Sequence, residues 1–311
     1  MHETIAIAGA TGNLGPAIIS AILSQTTHTV TILTRTGTLP ATIPSHPRLT
    51  IAHITSYTDH ATLVPALRGH TVLLSLLPDH GAQPALFDAA MEAGVRRVIP
   101  SEFGVDVAGN AHVRALPVFR TGKAVTQTYL KAKAAEDKLS YVLICTGAFL
   151  DWGIETHFIL TLPRSNGGVR EGKCKIYDGG EYERSMTTLA DIGKAVVGVL
   201  EHWEEVKNRA VYVQSCAASQ MELLRIAEAK GARVEVEDVE LGELERRCYQ
   251  VVEGDRSNHQ AKVEEAMFGF VTVGCWKRGM GTFWGERHDS ELLGVKQMTR
   301  KELEEVVGRY V

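Results

Sequence analysis

The chain lacks any run of eighteen or more apolar residues, so the sequence offers no segment that would cross a membrane as a helix. Cysteine is scarce: the five residues Cys145, Cys174, Cys216, Cys248 and Cys275 are far apart and odd in number. With no C-x-x-C among them, neither a disulfide framework nor a zinc-cysteine site is indicated, and free thiols in a reducing compartment are expected. The histidines form no H-E-x-x-H, and no metal is assigned. Basic residues are scattered rather than bunched, and the net charge is −4, which argues against nucleic acid as a direct partner. A basic n-region and a long apolar h-region are both missing from the opening MHETIAIAG. A cytoplasmic protein is expected.

What the chain does have is a regular alternation. Short runs rich in Val, Ile and Leu at 4–8, 29–34, 49–53, 71–77, 97–100 and 141–146 read as strands buried on both faces. Helical patterns at 16–23, 59–67, 84–93 and 123–137 separate them, with Gly94 as a stop signal. This order implies right-handed βαβ crossovers and an α/β fold with a doubly wound parallel Rossmann sheet. Residues 1–150 are expected to form the dinucleotide-binding domain, completed by about 186–215. Residues 151–185 and 216–311 are expected to form a smaller α/β substrate lobe, with a cleft between the two.

Beyond Gly147 the rhythm changes. RSNGG at 164–168 and DGGEYE at 178–183 are turn signals. Helices are expected at 191–202 and from the N-cap Ser219 to Ala229, where Glu222 would complete a capping box. Strands are expected at 210–214 and 234–239, and further helices around 241–251 and 299–307. The stretch 274–285 carries four glycines and reads as a loop able to close on a ligand.

The run Ile5-Ala6-Ile7-Ala8 flows into Gly9-Ala10-Thr11-Gly12-Asn13-Leu14-Gly15-Pro16. A strand entering such a loop and a helix leaving it is the context that a dinucleotide-binding fingerprint requires. Gly9 would permit the sharp turn, Gly12 the approach of backbone to pyrophosphate, and Gly15 close helix–strand packing. The helix N-terminus then offers unpaired N–H groups to the phosphates. At the tip of the second strand, where an NAD site carries an acid, the sequence reads Thr34-Arg35-Thr36. An arginine there suits a 2′-phosphate through its planar fork, so NADP(H) is the expected cofactor.

Further blocks, AAMEAGVRRVIPSEFG at 89–104, YVLICTGAFLDWG at 141–153 and LADIG at 189–193, join GATGNLG and Arg35 in one pattern. Together they resemble the isoflavone reductase-like, or NmrA-like, branch of the atypical short-chain dehydrogenase/reductases. The resemblance implies NADPH binding and, in catalytic members, hydride transfer to aromatic or conjugated natural products of secondary metabolism. It also implies a catalytic lysine at the start of the helix before the sixth strand, the position of Lys123 in Arg120-Thr121-Gly122-Lys123. The wider superfamily works instead with a Tyr-x-x-x-Lys pair. Tyr129, Lys131 and Lys133 are read here as partly exposed mid-helix residues that do not supply it.

Ligands of open α/β sheets bind at the carboxyl ends of strands. The expected cofactor contacts are therefore Gly9, Thr11, Gly12, Asn13, Leu14, Gly15, Arg35, Leu76, Leu77, Ser101, Phe103, Lys123, Thr146, Gly147 and Phe149. Lys123 would orient the cofactor or act as proton donor, whereas Glu102 is read as a turn brace. Phe149, Trp152, His157 and Trp276 are expected to wall a pocket for a hydrophobic small molecule in a monomer or homodimer. Two other functions fit the resemblance: a redox-sensing regulator that binds NADP(H) without turnover, and a non-redox isomerase or cyclase.

Overall fold

The computed structural model describes residues 2–38, 41–78, 80–162, 173–254 and 259–311. The turn signal at 164–168 lies outside them. The strands are β1 (Thr4–Ala8), β2 (Thr29–Thr34), β3 (Leu49–His53), β4 (Val72–Ser75), β5 (Arg97–Ile99) and β6 (Ser140–Cys145). They continue as β7 (Ala148–Phe149), β8 (Cys174–Tyr177), β9 (Arg184–Thr187), β10 (Arg209–Tyr212), β11 (Cys216–Ala218) and β12 (Val236–Val239). Seven of them make one parallel sheet in the order β10-β6-β5-β4-β1-β2-β3. A sheet of this order winds outward in both directions from the β1–β4 pair, which is the Rossmann arrangement.

Burial follows the pattern of the strands. Ile5 and Ile7 feed the core on one face, while Ala6 and Ala8 feed the core on the other. Helices Gly15–Gln25 and Leu189–Glu201 cover the first face. They approach closely because Gly193 has no side chain: a Cβ there would stand 2.9 Å from that of Ala21. Helices His60–Leu67, Gln83–Glu92 and Lys123–Ala135 cover the second face, packed through Leu63, Phe87 and Leu130. Asp59 caps its helix through Ala61 N–H, and Gly94 takes a positive φ of 96° just past its own.

Two smaller sheets, β11-β9-β7 and β12-β8, share a third core with the helices of the C-terminal third. Ser219 caps Gln220–Ala229, yet Glu222 does not close the box, because its carboxylate pairs with Arg300. The complete capping box belongs to Thr299 and Glu302. Helices His259–Glu265 and Met267–Trp276 were not expected. The second, MFGFVTVGCW, is apolar on most sides and has no helical periodicity to betray it. Among the described residues, no helix is long and apolar enough to cross a membrane.

Candidate active site

β1 and β4 lie side by side, but the chain winds away from them in opposite directions, so a crevice opens at their carboxyl ends. The glycine loop runs into it. Gly9 holds a φ of 79°, and a Cβ on it would press to 2.9 Å against the carbonyl of Leu76. β4 ends at Ser75, although the Leu76 N–H still reaches Ala8 O of β1 at 2.8 Å, and Leu77 is buried in the core. Gly15 is tighter still, since its Cβ would overlap Ala10 O at 1.8 Å. Gly12 differs from both. Its Cβ would meet only Gly9 O, at 3.5 Å, and Thr11, Gly12 and Asn13 face solvent, with Leu14 half-buried behind them. The helix that follows has no side-chain cap and no acid in its first turn. Open space over Gly12 beside uncapped N–H groups fits an anionic group such as pyrophosphate.

Arg35 is exposed just beyond β2, its guanidinium 5.8 Å from the ring centre of Tyr57. Thr34 and Thr36 share a hydroxyl hydrogen bond of 3.0 Å beneath it. Tyr57 was missed by the sequence reading, because nothing local links it to either partner. Its hydroxyl donates to Leu33 O at 3.1 Å and accepts from Gly9 N–H at 3.4 Å. One side chain thus fastens the loop after β1 to the tip of β2.

A cavity of about 630 Å³ lies beyond the ends of β4, β5 and β6. Phe103, Gly104, Lys123, Gly147, Phe149 and Trp152 line it from the side of the large sheet. Phe149 and Trp152 meet edge to face, with ring centres 6.0 Å apart. The opposite wall comes from the two unexpected helices, through Val263, Met267, Phe268, Val271 and Cys275. Burial holds the Cys275 sulfur as a thiol, its pKa pushed up to about 12.

Lys123 opens its helix at the cavity wall. Its ammonium donates to the main-chain carbonyl of Glu102 and stands 5.9 Å from the centre of the Phe119 ring. The Glu102 carboxyl is 2% exposed and accepts from Gln127 Nε2 at 3.1 Å. Arg114 holds the other end of Gln127 at 2.7 Å. Oε1 of Glu102 has no hydrogen-bond partner among the described residues. Burial raises this carboxyl to a pKa of about 7, while the Lys123 charge pulls the other way. Glu102 is therefore more than a turn brace: it anchors Lys123 through its backbone and Gln127 through its side chain.

Several expected contacts stand elsewhere. Trp276 is absent from the cavity wall: it is buried, stacked on Tyr177 at 6.0 Å, with its carbonyl held by Arg184. Val271 and Cys275 occupy the cavity-facing side of that helix, and position 276 is turned away from it. His157 is also off the wall; it sits at a chain reversal with φ 64°, and its neighbour Phe158 enters the cavity instead. Thr146 is fully buried, its hydroxyl donating to Gly147 O and its carbonyl accepting from Thr187. Ser101 is half-buried, and its N–H donates to Gln83 Oε1 at 3.1 Å. The stretch 274–285 is no open flap, since Gly274 is helical and Trp284 is fixed by Ser185 and by Val213 O.

Tyr129 and Lys133 require a correction of a different kind. They do stand at Tyr-x-x-x-Lys spacing, which corrects the expectation that the sequence holds no such pair. The structure puts Tyr129 against helix Gln83–Glu92, where its hydroxyl donates to Asp88 at 2.5 Å. Burial and the Asp88 carboxylate raise its pKa, the reverse of what a tyrosine proton donor needs. Neither residue lines the cavity.

The family model for the NmrA-like family matches residues 1–253. Oxidoreductase aprR of Aspergillus flavus is 33% identical over 249 residues, covering 79% of this chain and 80% of its own length. Oxidoreductase poxI of Penicillium oxalicum is 32% identical over 311 residues, covering 95% and 91%. Among solved structures, an isoflavone reductase superposes with a TM-score of 0.70 at 20% identity over the whole of both chains. A leucoanthocyanidin reductase–NADPH complex from Vitis vinifera gives 0.71 at 21% identity over 99% of each. By sequence and by fold, the chain belongs to the NmrA-like family.

Proposed function

We propose that the protein is an NADPH-dependent reductase of a hydrophobic aromatic or conjugated-enone small molecule, in secondary metabolism. In this reading residues 1–150, with 186–215, hold the cofactor, and 151–185 with 216–311 shape the substrate lobe. One observation carries it: Lys123 places an ammonium in the wall of an otherwise largely apolar, aromatic cavity next to the glycine-loop crevice. The names of the relatives as oxidoreductases, and NADPH in the complex from Vitis vinifera, support the reading.

Gly12 and the helix N-terminus would hold the pyrophosphate, Arg35 the 2′-phosphate, and Phe149 and Gly147 the nicotinamide end. Bound NADPH supplies a hydride to the substrate. The chain's own part is to exclude water with Phe103, Phe149, Trp152 and Phe268, and to meet the charge that develops on a substrate oxygen. Lys123 Nζ donates its proton there as the C=O or conjugated C=C is reduced.

The test mixes native protein, NADPH and a panel of aromatic enones and ketones, and follows the nicotinamide absorbance. Oxidation of NADPH with at least one member is expected. Tight NADPH binding with no oxidation across the panel would overturn the reading in favour of a protein that binds without turnover.

A further inference from the structure

β1 and β2 pair as far as Ala8 and Leu33 and then part, one entering the glycine loop and the other leading to Arg35. The two phosphate contacts proposed for the cofactor thus stand on diverging loops, past the last pair of the ladder. Tyr57, which is half-buried, bridges the fork. A backbone N–H only donates and a carbonyl only accepts, so its hydroxyl accepts from Gly9 N–H and donates to Leu33 O. A single oxygen that carries both a lone pair and a proton meets both demands.

The bridge has a firm base. Ile54, three residues earlier, is fully buried, and its N–H donates to Thr34 O at 3.0 Å. Asp59, two residues later, accepts at 3.1 Å both from Ala61 N–H and from the Thr62 hydroxyl at the start of helix His60–Leu67. The segment that carries Tyr57 is therefore tied at both ends. The guanidinium of Arg35 lies over the Tyr57 ring, 5.8 Å from its centre. A long exposed arginine loses rotamer freedom when it grips a phosphate. A guanidinium already resting on an aromatic face has less freedom to lose.

We propose that Tyr57 is a specificity-determining positioning residue of the NADP(H) site. Its hydroxyl spaces the pyrophosphate loop from the tip of β2, and its ring pre-orients Arg35 for the 2′-phosphate. The proposal rests on the cofactor placement in the reductase reading, and it assigns two parts of one side chain to two parts of one ligand. The hydroxyl serves any dinucleotide, whereas the ring serves only one that carries the 2′-phosphate.

The experiment titrates NADPH and NADH against native protein, Tyr57→Phe and Tyr57→Leu, with melting temperatures recorded alongside. Tyr57→Phe keeps the ring and removes the bridge. Both nucleotides should weaken together by about tenfold, with their affinity ratio unchanged. Tyr57→Leu removes the ring as well, and the preference for NADPH should drop by about threefold to tenfold. In an Arg35→Ala background the two Tyr57 variants should give the same ratio, because the ring acts through Arg35. Without nucleotide, hydrogen exchange at the Gly9 amide should quicken about tenfold in Tyr57→Phe. Three results overturn the proposal: unchanged Gly9 exchange in Tyr57→Phe, equal ratios in the two variants, or a ratio difference that survives in the Arg35→Ala background. A merely structural ring gives the second of these, since it lowers the melting temperature of the variants without moving the ratio. Failure of the reductase reading is seen separately, as native protein that binds NADPH and oxidises none with any acceptor.

Discussion

The ammonium of Lys123 donates to the carbonyl of Glu102, and the carboxyl of that same glutamate is bound by Gln127, one helical turn beyond the lysine. Residues four apart share a helix face, so the two links clamp the turn after β5 to a single edge of helix Lys123–Ala135. The lysine is consequently fixed at both ends of its reach, by its own backbone in the helix and by a carbonyl at the carboxyl end of a strand.

The clamp has a pH signature. Burial raises Glu102 from 4.5 to about 7, so the folded protein holds this proton more tightly than the unfolded chain does. Its contribution to stability is therefore full below about pH 4.5 and is lost as pH rises through about 7. The shift corresponds to about 3 kcal/mol at most. Glu102→Gln keeps the shape and the acceptor for Gln127 but cannot ionise. Urea denaturation should show the variant gaining on the native protein between about pH 5 and pH 8. A difference that stays flat across this range would contradict the assignment.

The glycines of the opening loop have separable roles. Gly15→Ala drives a methyl into Ala10 O, and should cost about 1–3 kcal/mol of stability through overpacking. Gly12→Ala meets only Gly9 O at ordinary contact distance. It should fold with an unchanged melting temperature and yet lose affinity for NADPH, because its methyl points into the space proposed for the pyrophosphate. Thermal melts and NADPH fluorescence titrations of the two variants, side by side, distinguish these effects. Equal loss of stability in both would remove the case for Gly12.

Much of this was legible in the sequence because it is encoded locally. β1, β2 and β3 fall where their apolar runs end, and Asp59, Gly94 and Ser219 mark helix ends as their chemistry demands. What was illegible depends on contacts between distant segments. Tyr57 beneath Arg35 and Arg114 behind Gln127 have no spacing rule to announce them. Trp276 failed for a related reason: aromatic content says that a residue is buried, not which cavity it faces. The far wall was hidden because helix Met267–Trp276 is apolar on too many sides to show a period.

Arg35 is the residue proposed to read the 2′-phosphate of the cofactor. It is exposed, with no acidic residue in the Thr34-Arg35-Thr36 tip, and it stands over Tyr57. Arg35→Ala should weaken NADPH by about tenfold to a hundredfold, the range for losing a charge-assisted hydrogen bond, with NADH affinity little changed. Titration of both nucleotides against native and variant protein measures the ratio. Parallel loss of NADPH and NADH would mean that Arg35 supports the fold of the site instead of reading the 2′-phosphate.

Lys123 and Tyr129 share one helix and give opposite expectations. Lys123→Met keeps the apolar stem and removes the ammonium, so NADPH oxidation with an accepted substrate should fall by about 10²–10⁴-fold. Tyr129→Phe removes a hydroxyl that is committed to Asp88 and lies off the cavity wall. It should cost about 1 kcal/mol of stability and leave the turnover number unchanged. The two variants, assayed for rate and for melting temperature, separate the residue proposed to face the chemistry from the one that only carries the Tyr-x-x-x-Lys spacing. A rate that collapses in Tyr129→Phe and survives in Lys123→Met would transfer the proton-donor role from the start of the helix to its middle, and the cavity argued here would no longer be the active site.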